Sequence, residues 1–312
     1  MQKAILLNRF LPPWWRISIN PGNYLDRLRQ RYRREVCKRF ATRPYRFRIS
    51  RPIISFSFDD FPATAATTGG LILRQYGISA TYYVSLGLAG AVTPASVMFE
   101  REDLLGIAAE GHEFGCHTFD HHDAWETDAQ TFAASLDRNR AELENQFRGA
   151  TFQTMSYPIS CPRPGVKRQA AIRFTVCRGG GQAVNIDELD RNYVKAFFIE
   201  KSRNSLAPIR SVIDQASVAN GWLIFVTHDI SNHPTRFGCT PQFFEDIVKY
   251  AVKSEASILP VSKGWEAIRS QNQPSDRGRR VQRLGAAPSN LVEPLSDIPQ
   301  GGTVSPNFMA PQ

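Results

Sequence analysis

The stretch Ile53-Ile54-Ser55-Phe56-Ser57-Phe58-Asp59-Asp60 decides how this chain is read. Six residues with the apolar character of a buried strand stop on two adjacent carboxylates. Acids at the carboxyl tip of a buried strand stand where α/β folds keep their chemistry. A lone Asp-Asp pair is more often a solvated turn, but a second cluster shifts the balance. Gly111-His112-Glu113-Phe114-Gly115-Cys116-His117-Thr118-Phe119-Asp120-His121 sets two imidazoles, His117 and His121, four residues apart. A third, His228, follows the apolar run Trp222-Leu223-Ile224-Phe225-Val226-Thr227. Carboxylates and histidines after separate strands read as one metal site assembled from distant sequence.

Outward from this stretch, strand and helix patterns alternate from Pro52 to about Ser270. Strands are expected at 80–85, 112–116, 151–157, 174–177, 192–199, 222–227 and 257–261. Helices are expected at 68–76, 101–110, 127–147 (with Thr127 as its cap), 165–172, 205–219, 241–254 and 262–269. Such alternation implies parallel βαβ units, and their number favours an α/β barrel over an open sheet. Three regions follow: a basic, aromatic extension over 1–51, a catalytic domain over 52–270, and a tail over 271–312. The tail is rich in Gln, Pro, Ser, Gly and Arg and reads as disordered.

The formal charge of +9 is unevenly spread: the first 51 residues carry about +12 and the remainder about −3. This argues against a nucleic-acid-binding core. It leaves a basic arm able to meet a membrane surface or an acidic polymer, with a helix expected over 24–40 and Trp14-Trp15 ahead of it. The bland alternative is a helix packed on the domain with a solvated arginine face. No apolar run approaches the ~18 residues of a membrane span. Ala4-Ile5-Leu6-Leu7 is broken too soon for a secretory signal, and five cysteines without paired spacing read as free thiols. The expected location is the cytoplasm, with membrane association through the arm.

Two imidazole nitrogens on one zinc must each lie ~2.0–2.1 Å from it. On a strand, residues four apart are ~13 Å from each other. A shared metal therefore requires Thr118-Phe119-Asp120 to leave the strand and curl. One of Asp59 and Asp60 would complete a two-histidine, one-carboxylate set, while its neighbour, pointing the other way, faces the substrate water. His112 and His122 read as bystanders, Cys116 as a buried structural thiol, and Arg178-Gly179-Gly180-Gly181-Gln182 as a flexible rim.

Phe58-Asp59-Asp60 and the Gly111–His121 stretch together resemble the polysaccharide deacetylases, the NodB-homology enzymes of carbohydrate esterase family four. Tyr157-Pro158 and Phe225-Val226-Thr227-His228 match in order and approximate spacing. The resemblance implies a distorted, incomplete (β/α) barrel and a hydrolase removing acetyl groups from an N-acetylated amino sugar, oligosaccharide or polysaccharide. It implies Asp59 as general base, His228 as general acid, and Asp60, His117 and His121 on a divalent metal, zinc being the first choice. A backbone N–H near Tyr157 and Pro158 is the expected oxyanion donor. The chain departs from the pattern in three places. Phe61-Pro62 stands where Gly is usual. Ser156 or Tyr157 replaces an Arg that orients the base, with Arg163, Arg178 and Arg191 as substitutes. The Asp that tunes the acid is not recognisable, with Asp187 and Asp190 as replacements. The competing readings are a deformylase or other C–N hydrolase of the same fold, and a catalytically impaired metal- or glycan-binding protein.

Overall fold

The computed structural model describes residues 24–272. In chain order its elements are α1 (Tyr24–Arg39), β1 (Pro44–Arg46), β2 (Ile53–Phe58), α2 (Leu71–Gln75), β3 (Thr81–Val84), the short pair β4 (Val92–Thr93) and β5 (Ser96–Val97), α3 (Arg101–Ala109) and β6 (Glu113–Cys116). There follow α4 (Ala129–Gln146), β7 (Thr154–Ser156), α5 (Pro164–Ala171), β8 (Val176–Arg178), β9 (Glu188–Asp190), β10 (Phe197–Phe198), α6 (Leu206–Val218), β11 (Trp222–Thr227), α7 (Pro241–Lys253), β12 (Ser257–Ile258) and α8 (Val261–Gln271).

β2 is the spine of the sheet, and all six of its residues are buried. β11 runs parallel to its whole length, from Trp222 beside Ile53 to Thr227 beside Phe58. Its other edge is shared: β12 takes Ile53 and Ile54, and β3 takes Ser57 and Phe58. The parallel order continues β3-β6-β7-β8 on one side and ends at β10 on the other. Between β8 and β10 the ladder shrinks to a single bridge, Arg178 with Val194, so the ring is an incomplete (β/α) barrel.

Period-2 alternation in β2 explains why it can be buried on both faces. Ile54, Phe56 and Phe58 join the large core beneath the helices. There Phe56 stacks on Phe225 with ring centroids 5.5 Å apart, and Phe58 on Tyr82 at 4.8 Å; α7 adds Phe244. Ser55 and Ser57, on the opposite face, are small enough for a narrow barrel and are satisfied there. Ser55 accepts from the Trp222 indole N–H at 3.0 Å, and Ser57 donates to the Phe225 carbonyl at 2.8 Å. A second core groups Ile53, Trp222, Ile224, Val226, Val194 and Ala196 with Phe47, Ile49 and Trp265.

Several expectations change here. Part of the basic stretch over 1–51 is built into the fold: β1 pairs antiparallel with β9, Phe47 and Ile49 are buried, and α1 packs on the barrel. These three-residue, charge-bearing strands carry too little period-2 signal to be read from sequence. The strand expected over 192–199 is reduced to Phe197–Phe198 plus the Val194 bridge. Asp128 rather than Thr127 caps α4, its carboxylate accepting from the N–H groups of Gln130 and Thr131. Trp14-Trp15 and most of the tail lie outside the described residues. Among the described residues no helix is long and apolar enough to cross a membrane.

Phe56→Ala should cost about 3–5 kcal/mol, the usual range for truncating a buried aromatic. Equilibrium urea unfolding should show a lower midpoint with an unchanged slope. A loss below about 1 kcal/mol would mean that the β2 core carries less of the stability than its burial implies.

Candidate active site

The carboxyl ends of β2, β6, β7, β8 and β11 and the loop after β6 supply the site. The chain leaves β2 through Asp59 and then turns sharply, because Asp60 and Phe61 both adopt positive φ, 61° and 60°. Such conformations are costly for residues with a Cβ. Phe61 stands where Gly would adopt this backbone freely, and its ring is held in the core by Phe99, centroids 4.9 Å apart, and by Tyr82. It is fully buried and turned inward. The second sharp turn follows β6, with Thr118 at 62° and His121 at 53°. The curl that a shared metal would require is therefore present, and the His117 and His121 ring centroids are 5.0 Å apart.

Asp60, His117 and His121 converge, their ligand atoms all within 4.8 Å of one another and all three residues buried. His121 Nε2 lies 2.8 Å and His117 Nε2 3.2 Å from Asp60 Oδ1. His117 Nδ1 is 2.9 Å from the Ser156 carbonyl, which can only accept; the Nδ1–H tautomer follows, and Nε2 is left with its lone pair aimed at Asp60. Asp60 Oδ1 is buried and receives no hydrogen bond among the described residues. A buried carboxylate oxygen facing an imidazole lone pair is repulsive unless a proton or a cation lies between them. The donor set therefore fits a divalent cation, and its chemistry suits zinc and other borderline metals. Burial would raise the Asp60 carboxyl, but the charge of His121, the two imidazoles set against it and His228 outweigh it and hold it well below the ordinary carboxylate value. Burial would lower His121; the charge of Asp60 reverses this and raises it.

Asp59 is buried too, but faces a different partner. Arg178, at the end of β8 and 2% exposed, extends its guanidinium to both Asp59 oxygens and to the Ser156 hydroxyl. Burial would raise the Asp59 carboxyl; Arg178, then His117 and His228, more than offset this, and it lies below its ordinary value. Of the three arginines left open by the sequence, the structure thus selects Arg178. Ser156, on the neighbouring strand at the same level, leaves the room that the guanidinium fills: Ser156 and Arg178 are directly paired across β7 and β8. The guanidinium also lies over the Tyr83 ring, 5.0 Å from its centroid. That ring needs a glycine at position 115, where a Cβ would come within 2.3 Å of it.

His228 sits half-buried beyond β11, its Nδ1 3.2 Å from the Phe237 carbonyl and its ring stacked obliquely on Phe237. Neither proposed acid-tuning residue is near it. Asp190 pairs with the buried Lys167 at 2.7 Å, and the carbonyl of Asp187 accepts from Phe47. Glu200 is the carboxylate that sequence reasoning missed: burial raises it, the charge of His228 lowers it, and its Oε2 is buried with no hydrogen-bond partner among the described residues. A glutamate in a one-turn 3-10 segment offers no sequence signal. The Tyr157 N–H donates to the Arg178 carbonyl at 3.1 Å and is unavailable as an oxyanion donor, and Pro158 has no N–H. Ile159, with φ 62° and a half-exposed side chain, carries the next N–H, which meets no acceptor among the described residues. Cys116 is buried and accepts from Asn139 at 3.3 Å, as a structural thiol would. His112 accepts from the Ala80 N–H and stays outside the cluster.

Fold and site together define a (β/α) barrel with a two-histidine, one-carboxylate donor set and a guanidinium-held aspartate at the carboxyl ends of its strands. Residues 48–173 match the family described as polysaccharide deacetylase. Among solved structures, a peptidoglycan deacetylase from Bacillus subtilis is 18% identical with a TM-score of 0.50, over 76% of this chain and 98% of that one. It shares the fold. A family 4 acetyl xylan esterase from Clostridium thermocellum, solved with a cobalt ion, gives 19% identity and 0.49 over 71% and 93%. The chitin deacetylase from the fungal pathogen Colletotrichum lindemuthianum gives 16% and 0.49 over 70% and 89%. No curated protein matches the chain.

Arg178→Leu should leave Asp59 as an uncompensated buried charge and cost about 3–5 kcal/mol at neutral pH. Arg178→Lys, which keeps the charge but not the planar fork, should cost less. Denaturant midpoints of both variants check this. Equal losses would mean that packing rather than charge is what Arg178 contributes.

Proposed function

We propose that this protein is a metal-dependent N-deacetylase that removes acetyl groups from an N-acetylated amino sugar within an oligosaccharide or polysaccharide. The observation that carries the reading is the pairing of two separate acids: Asp60 with two imidazoles, and Asp59 with a guanidinium, on adjacent residues of one strand end. The match of residues 48–173 to the polysaccharide deacetylase family supports a carbohydrate substrate.

In this reading Asp60, His117 and His121 hold a divalent ion, with zinc first among those the donors suit. When bound, the ion polarises the acyl carbonyl and makes water acidic enough to be deprotonated at neutral pH. Asp59 takes a proton from the attacking water. Arg178 keeps Asp59 ionised and fixed in direction, so that it is a base rather than a buried acid. The free N–H of Ile159 is the oxyanion donor, in place of the engaged Tyr157 N–H. His228 delivers a proton to the departing nitrogen as the C–N bond breaks. The Phe237 carbonyl orients its ring. Water supplies the new oxygen of acetate, and the sugar leaves as the amine.

The two acids should fail differently. Asp59→Asn keeps shape and metal but should lose about 10²–10⁴ in rate, the usual worth of a general base. Asp60→Ala should lose bound zinc as well as turnover. Acetate release from chitooligosaccharides, zinc stoichiometry after dialysis, and formate release from an N-formyl analogue measured in parallel decide the matter. Retention of zinc by Asp60→Ala with its loss from Asp59→Asn would exchange the roles. Formate without acetate would make the protein a deformylase, and full activity in both variants would remove the site from the chemistry.

A further inference from the structure

We infer that α1 is an interfacial helix that docks the protein on an anionic lipid surface. One side of α1 is committed to the barrel. Cys37 is buried, and its carbonyl accepts from the fully buried Lys167 ammonium at 2.8 Å. Arg33 pairs with Glu126 and lies over Trp125, 5.4 Å from the ring centroid. Away from that side stand Leu28, 44% exposed, and Tyr32, 63% exposed, one turn apart on one face; Tyr32 still meets the Trp125 ring edge-on, centroids 6.0 Å apart. Arg29, Arg31, Lys38 and Arg39 are exposed along the helix, and among the described residues Lys38 and Arg39 pair with Glu35.

An acidic polysaccharide would be served by the arginines alone. Exposed Leu28 and Tyr32 in the middle of the basic face add what a bilayer interface takes up: apolar area beneath the headgroups and cationic side chains among the anionic ones. Charge complementarity therefore selects an anionic lipid surface over an uncharged one, and the apolar centre selects lipid over a soluble polyanion. The placement has a consequence for the site. Trp125 and Glu126, against which α1 packs, donate their N–H groups to Asp123 at 2.7 and 2.9 Å, two residues beyond His121. A docked α1 would hold the mouth of the site beside the membrane.

Co-sedimentation of the full chain with vesicles tests this. Phosphatidylcholine vesicles containing phosphatidylserine should retain the protein, pure phosphatidylcholine vesicles should not, and added salt should weaken retention. The triple variant Arg29→Glu/Arg31→Glu/Lys38→Glu should lower affinity for the anionic vesicles by at least about tenfold. Leu28→Ser/Tyr32→Ser should lower vesicle binding while leaving binding to heparin, used as a soluble polyanion, unchanged. Unfolding midpoints close to that of the parent protein would confirm that the variants fold. Binding to heparin but not to anionic vesicles overturns the inference in favour of a polymer-binding helix. So does vesicle binding that neither set of substitutions reduces, since the contact would then lie elsewhere in the chain.

Discussion

A strand buried on both faces cannot end on two bare carboxylates. This constraint governs β2 and, through it, everything gathered at the top of the barrel. An unpaired buried charge costs several kcal/mol, so Asp59 and Asp60 each need a dedicated counter-group. The sharp turn at Asp60 and Phe61 sends the two side chains apart. Asp59 then meets the Arg178 guanidinium and Asp60 meets two imidazoles. The separation of tasks between adjacent acids follows from backbone geometry before any chemistry is invoked.

The same constraint explains how the missing arginine is replaced. In a parallel barrel, neighbouring strands bring side chains of the same level side by side, and β7 pairs Ser156 with Arg178 of β8. A guanidinium delivered from either strand reaches the same carboxylate if the other strand supplies a small residue. Ser156 also helps on the metal side: its carbonyl fixes the His117 ring, and its hydroxyl touches the guanidinium. One small residue therefore ties the proposed ligand to the group that orients the proposed base. Tyr83 and Gly115 support the guanidinium from below, linking β3 and β6 to the same centre.

Most of the architecture was legible because β2, β11 and the long helices carry strong period-2 or helical patterns. The bounds of β11 read from sequence, Trp222 to Thr227, coincide with the structure. The donor set was legible because His117 and His121 share a metal only if the chain curls, and the turn residues for the curl were visible. What stayed hidden depends on through-space pairing. Arg178 could not be chosen over Arg163 or Arg191, since only strand register places it opposite Ser156. Glu200 lies in a short 3-10 segment with no motif. The Tyr157 N–H looked available because its partner, the Arg178 carbonyl, lies on the next strand. β1 and β9 are too short and too charged to show as strands, although Phe47 and Ile49 beside them complete the inner core.

The convergence of Asp60, His117 and His121 on a single ion is the claim on which the functional reading stands. X-ray absorption at the zinc edge of protein reconstituted with one equivalent tests it directly. Scattering by imidazole nitrogens at ~2.0–2.1 Å and a carboxylate oxygen at ~2.0–2.2 Å, with no sulfur shell, is the expected result. A sulfur shell near ~2.3 Å would place the ion on a cysteine and contradict the account.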